Sequence, residues 1–262
     1  MLIEDVESVL RHAAEEAILP RFRRLDESDI IEKAPGDLVT VADRHSEAII
    51  TPALLKLVPG ARVVGEEACA ADVSLLRDLD QGMVWLVDPI DGTANFAKGR
   101  QPFCVMVALL KQGEPVLSWI FDPVGNELCL AERGAGATIN GVRVYTASQA
   151  AERPLRGAVL TGFMPPEVGA RVEASAAGIE RLAGLFCAGA EYPAILRGER
   201  DFTIFWRSLP WDHAPGSLFL EEAGGGVRRP DGRRYDVASD GFGLVAARTP
   251  QILEQLLSSI RF

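Results

Sequence analysis

Trp85-Leu86-Val87-Asp88-Pro89-Ile90-Asp91-Gly92-Thr93-Ala94-Asn95-Phe96 carries an apolar run into two carboxylates three residues apart, followed by a glycine and a threonine. Residues 83–88 (MVWLVD) read as a buried strand, and Pro89 holds Asp88 extended. Gly92 lets the backbone approach a ligand closely. A helical turn starting at Gly92-Thr93 would aim free N–H groups and the Thr93 hydroxyl at an anion. Two carboxylates beside such a nest suggest metal-assisted phosphate chemistry. The plainer alternative is a simple Asp91-Gly92 turn with Asp88 as a strand-end cap.

Outward from this stretch, residues 4–24 and the segment after Val41 through Leu55 have helical spacing, with Pro52 placed to kink or divide the second helix. From Phe103, short apolar segments separated by turn clusters predict an antiparallel meander, with Asn140-Gly141 as a two-residue hairpin turn. Strands are expected at 155–161 and 184–188, with a weakly amphipathic helix at 166–183 between them. A helix should run from Ala214 to Ala223 and stop at Gly224. SDGFGLVAA reads as a strand, and Thr249-Pro250 opens a last helix. The alternating blocks indicate an α+β or layered body, divided here into an N-terminal half (1–145) and a C-terminal half (146–262) of one compact unit.

Three other segments carry acids that suit the same chemistry. Glu66 follows the apolar pair Val63-Val64 in Gly65-Glu66-Glu67, Asp212 sits at a helix start in Trp211-Asp212-His213-Ala214, and Asp43 lies at the mouth of a helix after Asp37-Leu38-Val39-Thr40. Taken singly, each reads as a helix N-cap or a solvated loop.

Together these segments resemble the inositol monophosphatase family, the Mg²⁺-dependent, Li⁺-sensitive phosphatases related to fructose-1,6-bisphosphatase. WLVDPIDGTANF and WDHAPG followed by EEAGG are similar to the two family signatures, and Lys33, Gly65-Glu66-Glu67 and the Gly134–Gly141 hairpin also fit the pattern. The resemblance implies an α+β fold layered as an αβαβα sandwich. It implies Glu66, Asp88 and the Ile90 carbonyl as ligands of a first Mg²⁺, and Asp88, Asp91 and Asp212 as ligands of a second, with Glu66 also helping to hold a third, weaker ion. Thr93, paired with Asp43, is implied to orient and deprotonate the attacking water, with Glu66 beside them in the catalytic set. The amides of Gly92 and Thr93 are implied as the phosphate cradle, next to Asp91 and Asp212. Between Gly189 and Trp211 the family's small-residue helix start is replaced by Gly189-Ala190-Glu191-Tyr192-Pro193, so Glu191, Tyr192, Phe205 and Trp206 are expected on the substrate wall.

The implied activity is hydrolysis of a small phosphorylated metabolite such as inositol 1-phosphate, by a cytoplasmic homodimer. Histidinol phosphate, fructose 1,6-bisphosphate and a 3′(2′),5′-bisphosphate nucleotide are alternative substrates, and a regulatory binding protein of the same fold is the alternative from another class. Composition, 48% hydrophobic and 24% charged, fits a folded chain that can bury a substantial core. The 262 residues set 27 Lys and Arg against 37 Asp and Glu, a net charge of −10, which disfavours nucleic acid and anionic membranes as partners. No apolar run approaches the ~18 residues of a membrane helix, and the acidic opening MLIEDVESVL does not suggest export. Cys69, Cys104, Cys129 and Cys187 are far apart in sequence with no CxxC pair, so reduced thiols are expected rather than a zinc site or disulfide. His213 reads as a supporting or surface histidine, and the Arg228–Arg234 cluster as a hairpin tip.

Overall fold

The computed structural model describes residues 1–34, 36–146, 154–239 and 241–262. The chain opens with α1 (Leu2–Ala13), continued by a π-helical turn to Ile18. A hairpin of β1 (Ile30–Ala34) and β2 (Asp37–Thr40) leads into α2 (Val41–Leu57), β3 (Arg62–Gly65) and α3 (Glu66–Ala71). Next come β4 (Met83–Asp91) and the short α4 (Thr93–Ala97). The expected meander follows as β5 (Cys104–Lys111), β6 (Glu114–Asp122), β7 (Glu127–Glu132), β8 (Gly136–Ile139) and β9 (Val142–Val144). The remaining elements are β10 (Arg156–Val159), α5 (Pro166–Ser175), β11 (Glu180–Arg181), α6 (Ala188–Leu196), β12 (Phe202–Phe205), α7 (Pro210–Glu222), β13 (Gly226–Arg228), β14 (Leu244–Ala247) and α8 (Pro250–Ser259).

Side-chain alternation along the strands decides the layering. Trp85 and Val87 of β4 pack with Val6, Leu10, Ile50 and Leu54 of α1 and α2. Val84 and Leu86 point the other way, toward Trp211 and Ala214 of α7. Strands β3 to β9 form a seven-stranded sheet in sequence order, and β11-β10-β12-β14-β13 form a five-stranded one. Helices α6 and α7 lie between the sheets, with Tyr192, Ile195, Leu218 and Phe219 against both Met106 and Ile120 on one side and Phe205 and Leu244 on the other. The outer face of the second sheet, Phe202, Ile204 and Val245, is closed by Val172, Leu253 and Leu256 of α5 and α8. The order helix, sheet, helix, sheet, helix is the expected αβαβα sandwich. Among the described residues no helix is long and apolar enough to cross a membrane.

Several local expectations change. Pro52 lies inside α2 without dividing it. The helix expected over 166–183 ends at Ser175, because Gly178 turns the chain left-handed at φ +97° before the edge strand β11. The strand expected at 184–188 is an irregular approach to α6, which Cys187 precedes as N-cap residue. A helix does form at Ala188–Leu196 despite Pro193, because Gly189 lets it seat tightly: a Cβ there would stand 2.3 Å from Cys104 Sγ. Helix α7 starts four residues earlier than expected, at Pro210, which suits a first helical turn. Asn140 and Gly141 make the hairpin turn with φ of 48° and 76°.

Candidate active site

The same alternation that buries Trp85 and Val87 sends Asp88 to the α7 side of the sheet, where Asp212 sits in the first turn of α7. Between Asp88 and Asp91 the strand register shifts, so the chain bulges and both acids end up buried at one strand end. The Ile90 N–H donates to Asp88 Oδ1 at 3.0 Å and fixes that bulge. Gly92 follows at φ +85°, with Pro102 O and Cys187 Cβ within 3.0 and 3.1 Å of any Cβ it could carry, so only glycine fits. The first amides of α4 therefore have no carbonyl one turn behind them.

Asp43 enters from α2. Its Oδ2 accepts from the Thr40 N–H at 2.8 Å and the Thr40 hydroxyl at 2.5 Å, which makes it the third residue of a capping box. Its Oδ1 accepts from the Thr93 hydroxyl at 3.2 Å, and that hydroxyl also lies 2.9 Å from the Ile90 carbonyl. Asp43 is thus both helix cap and Thr93 partner. Burial pushes its carboxyl up to about 7, partly opposed by the Thr40 hydrogen bonds and aided by the charges of Glu67 and Glu66.

Glu66 opens α3 and pairs with Lys33 Nζ at 2.9 Å, and Lys33 also reaches Glu67 at 3.0 Å. Glu47, one turn after Asp43 on α2, accepts from the Glu67 and Ala68 N–H groups at 2.9 Å each. It holds the start of α3 in place, which the sequence reading missed; its four-residue spacing from Asp43 was the available signal.

Burial raises the carboxyls of Glu66, Asp88, Asp91 and Asp212, and for Asp88 the charges of Glu66, Asp91, Asp212 and Asp43 raise it further. Four mutually repelling carboxylates with only Lys33 and Arg207 at their edge are an oxygen-only donor set short of positive charge. That set fits hard divalent cations such as Mg²⁺, which take carboxylate and carbonyl oxygens.

A cleft of about 510 Å³ opens over these acids, lined by Asp37, Gly92 and Thr93 on one side and by Phe163, Phe186, Phe205, Trp206 and Arg207 on the other. Arg207 stacks on Phe163, 4.8 Å from the ring centre, and lies 3.8 Å from Asp37; neither it nor Phe163 or Phe186 was anticipated. A larger cavity of about 720 Å³ lies elsewhere, beside α5 and α8, away from all of these acids.

Two members of the expected substrate wall need correction. Glu191 borders the cleft but is fully buried, and its carboxylate is already engaged by the Leu185 N–H at 2.7 Å, the Thr203 hydroxyl at 2.7 Å and the Arg200 guanidinium. Its contacts anchor the 185–187 approach rather than offer a carboxylate to substrate. Tyr192 is buried between α6 and α7, stacked on Phe205, with its hydroxyl 2.9 Å from His213 Nδ1. His213 is not at the surface. Its Nε2 lies 3.0 Å from the Arg207 carbonyl, which can only accept, so Nε2 carries the proton and Nδ1 accepts from Tyr192. Burial depresses this imidazole to about 3.

The cysteines, far apart in sequence, are not all far apart in space: Cys104 and Cys187 bring their sulfurs to 3.7 Å beside Asp91.

A family model described as the inositol monophosphatase family matches residues 3–262. A Thermotoga maritima protein named fructose-1,6-bisphosphatase/inositol-1-monophosphatase is 30% identical over 238 residues, covering 88% of this chain and 89% of the relative. The Escherichia coli (strain K12) Nus factor SuhB is 30% identical over 256 residues, covering 93% of this chain and 90% of the relative. Among solved structures, a Thermotoga maritima IMPase matches with a TM-score of 0.79 at 26% identity, covering 96% of this chain and 93% of that one.

Proposed function

The chain belongs to the inositol monophosphatase family, and from that premise we propose that it is a Mg²⁺-dependent phosphatase of small phosphomonoesters. The observation that carries this reading is the convergence of Glu66, Asp88, Asp91 and Asp212 at one strand end, next to the Thr93–Asp43 hydrogen bond. Glu66, Asp88, Asp91, Asp212 and the Ile90 carbonyl would hold the cations. When bound, Mg²⁺ neutralises charge on the phosphoryl oxygens and acidifies a water.

The remaining work falls to this chain's own groups. The Gly92 and Thr93 amides face the phosphate, and Gly92 permits that approach by its left-handed backbone. Thr93 Oγ1 orients the attacking water, and Asp43, held by Thr40 from behind, takes up the proton passed through Thr93. Lys33 keeps Glu66 and Glu67 from repelling each other. On the leaving-group side, Phe163, Phe186, Phe205 and Trp206 offer ring surface, while Glu191 is engaged elsewhere. Such a wall makes few hydrogen bonds to a polyol, so the alcohol is selected loosely.

The test is phosphate release from a panel of about ten phosphomonoesters with Mg²⁺, comparing the natural chain with Thr93→Ala and Asp43→Asn. General-base catalysis is worth ~10²–10⁴-fold, so each variant should fall within that range. Turnover equal to the natural chain in both would remove the assignment.

A further inference from the structure

Behind the carboxylate cleft, three side chains from separate elements converge in a way that phosphate chemistry does not require. Asp91 ends β4, Cys104 opens β5 directly opposite it in the strand register, and Cys187 immediately precedes α6. Asp91 Oδ2 lies 3.1 Å from Cys187 Sγ and 3.7 Å from Cys104 Sγ, and the two sulfurs are 3.7 Å apart. All three residues are buried. Among the described residues this is the one group of three His, Cys, Asp or Glu side chains whose ligand atoms all lie within 4.8 Å of one another.

These separations are close to the edges of a coordination tetrahedron. Zinc bonds of ~2.3 Å to sulfur and ~2.0–2.2 Å to carboxylate oxygen place tetrahedral ligand atoms ~3.8 Å apart for S···S and ~3.5 Å for S···O. The Gly189 N–H donates to the same Asp91 oxygen at 2.6 Å, the kind of outer hydrogen bond that fixes a ligating carboxylate. Access is available: Asp91 and Cys187 border the 510 Å³ cleft, while Cys104 borders a separate cavity of about 180 Å³ behind it. Two sulfurs with one oxygen select a soft or borderline ion, whereas Mg²⁺ takes oxygen ligands.

We propose that Asp91, Cys104 and Cys187 form a site for a thiophilic divalent cation of the Zn²⁺ or Cd²⁺ class, its fourth position facing the cleft, and that occupancy withdraws Asp91 from the Mg²⁺ cluster. On binding, each thiol releases one proton to solvent and forms one sulfur–metal bond; nothing is oxidised or reduced. The binding stands on geometry alone, while the loss of activity rests on the phosphatase reading.

The probe is Cd²⁺ titrated into reduced, metal-free, full-length protein, read by sulfur-to-cadmium charge-transfer absorption. One equivalent should give a two-thiolate band that Zn²⁺ displaces. Cys104→Ser and Cys187→Ser should each weaken binding by more than about tenfold. The Cys69→Ser/Cys129→Ser double variant leaves the pair untouched, so it must keep the full band even if the first two variants fold poorly. No band at one equivalent, or a band lost in the Cys69/Cys129 variant, overturns the site. In the second arm, Zn²⁺ should inhibit Mg²⁺-dependent phosphate release by the natural chain at least tenfold more strongly than by Cys104→Ser, each relative to its own zinc-free rate. Equal inhibition overturns the regulatory half. A full band in a protein with no turnover on any substrate would instead remove the phosphatase reading and leave the metal site standing.

Discussion

At the end of β4, Glu66, Asp88, Asp91 and Asp212 face one another with Lys33 at their edge, whereas around α6 and β12 each buried acid has its own cation. There Glu191 holds Arg200 and Thr203, and Asp201 holds Arg248 at 3.0 Å. Asp88 and Asp91 are buried much as Glu191 and Asp201 are, and Glu66 and Asp212 are half-buried at the cleft floor, so burial alone does not separate the two regions. The difference is in charge balance. A buried acid paired within the protein supports the fold, and its loss strands the partner cation. A buried acid facing other acids destabilises the unliganded fold, which is expected only where charge must come from outside.

This contrast predicts opposite consequences for superficially similar substitutions. The largest effect should be on turnover: Asp88→Asn should lower kcat by at least about 10³-fold, ~4 kcal/mol of transition-state stabilisation, measured as phosphate release at saturating Mg²⁺. Next comes stability, read from urea unfolding in chelator at pH 7. Arg200→Met should destabilise by ~3 kcal/mol, because Glu191 is left buried without its cation. Asp212→Asn, from the acid cluster, should be neutral or slightly stabilising under the same conditions. If both substitutions destabilise alike, the contrast between the regions fails.

His213 gives a smaller, pH-dependent effect. Its folded value of about 3 lies below its ordinary 6.5, so the unfolded chain binds the proton first and stability falls as pH drops below 6.5. Between pH 7 and 5 this group should remove about 2 kcal/mol of stability, a decrement that His213→Gln should lack. A natural chain and variant with parallel pH profiles would show the imidazole to be solvated. The smallest expected effect is in specificity. With Glu191 engaged and aromatic rings on the wall, kcat/KM for inositol 1-phosphate should stay within about 100-fold of other phosphomonoesters, ~2.7 kcal/mol.

What the sequence made legible follows the same division. Asp88, Asp91, Gly92 and Thr93 stand in one contiguous motif at a strand end, so a linear reading reaches them. Taken alone, Asp212 reads as a helix N-cap and gains its role only through the family resemblance. The α+β class was legible in the alternating blocks of helical and strand segments and in turn residues such as Asn140-Gly141, while the αβαβα order followed from the family resemblance. The substrate wall was legible only in part: Phe205 and Trp206 line the cleft, whereas Tyr192 is packed behind it. Whether Glu191 faces a ligand depends on Arg200 and Thr203, and whether Cys104 meets Cys187 depends on pairing across 83 positions. Residues 184–188 read as a strand because their local composition allows it, but Asn95 Nδ2 bonds the Leu185 carbonyl and Glu191 binds the Leu185 N–H, which withdraws that backbone from any sheet.

The most direct measurement of whether the acid cluster is built for divalent cations needs no substrate. It compares the unfolding free energy of the natural chain and of Asp88→Asn in chelator and in Mg²⁺. A site filled to about 100 times its dissociation constant stabilises the fold by ~2.7 kcal/mol, so the natural chain should gain about that much, and Asp88→Asn should gain almost nothing. A natural chain whose stability ignores Mg²⁺, or a variant that responds as strongly, would contradict the account.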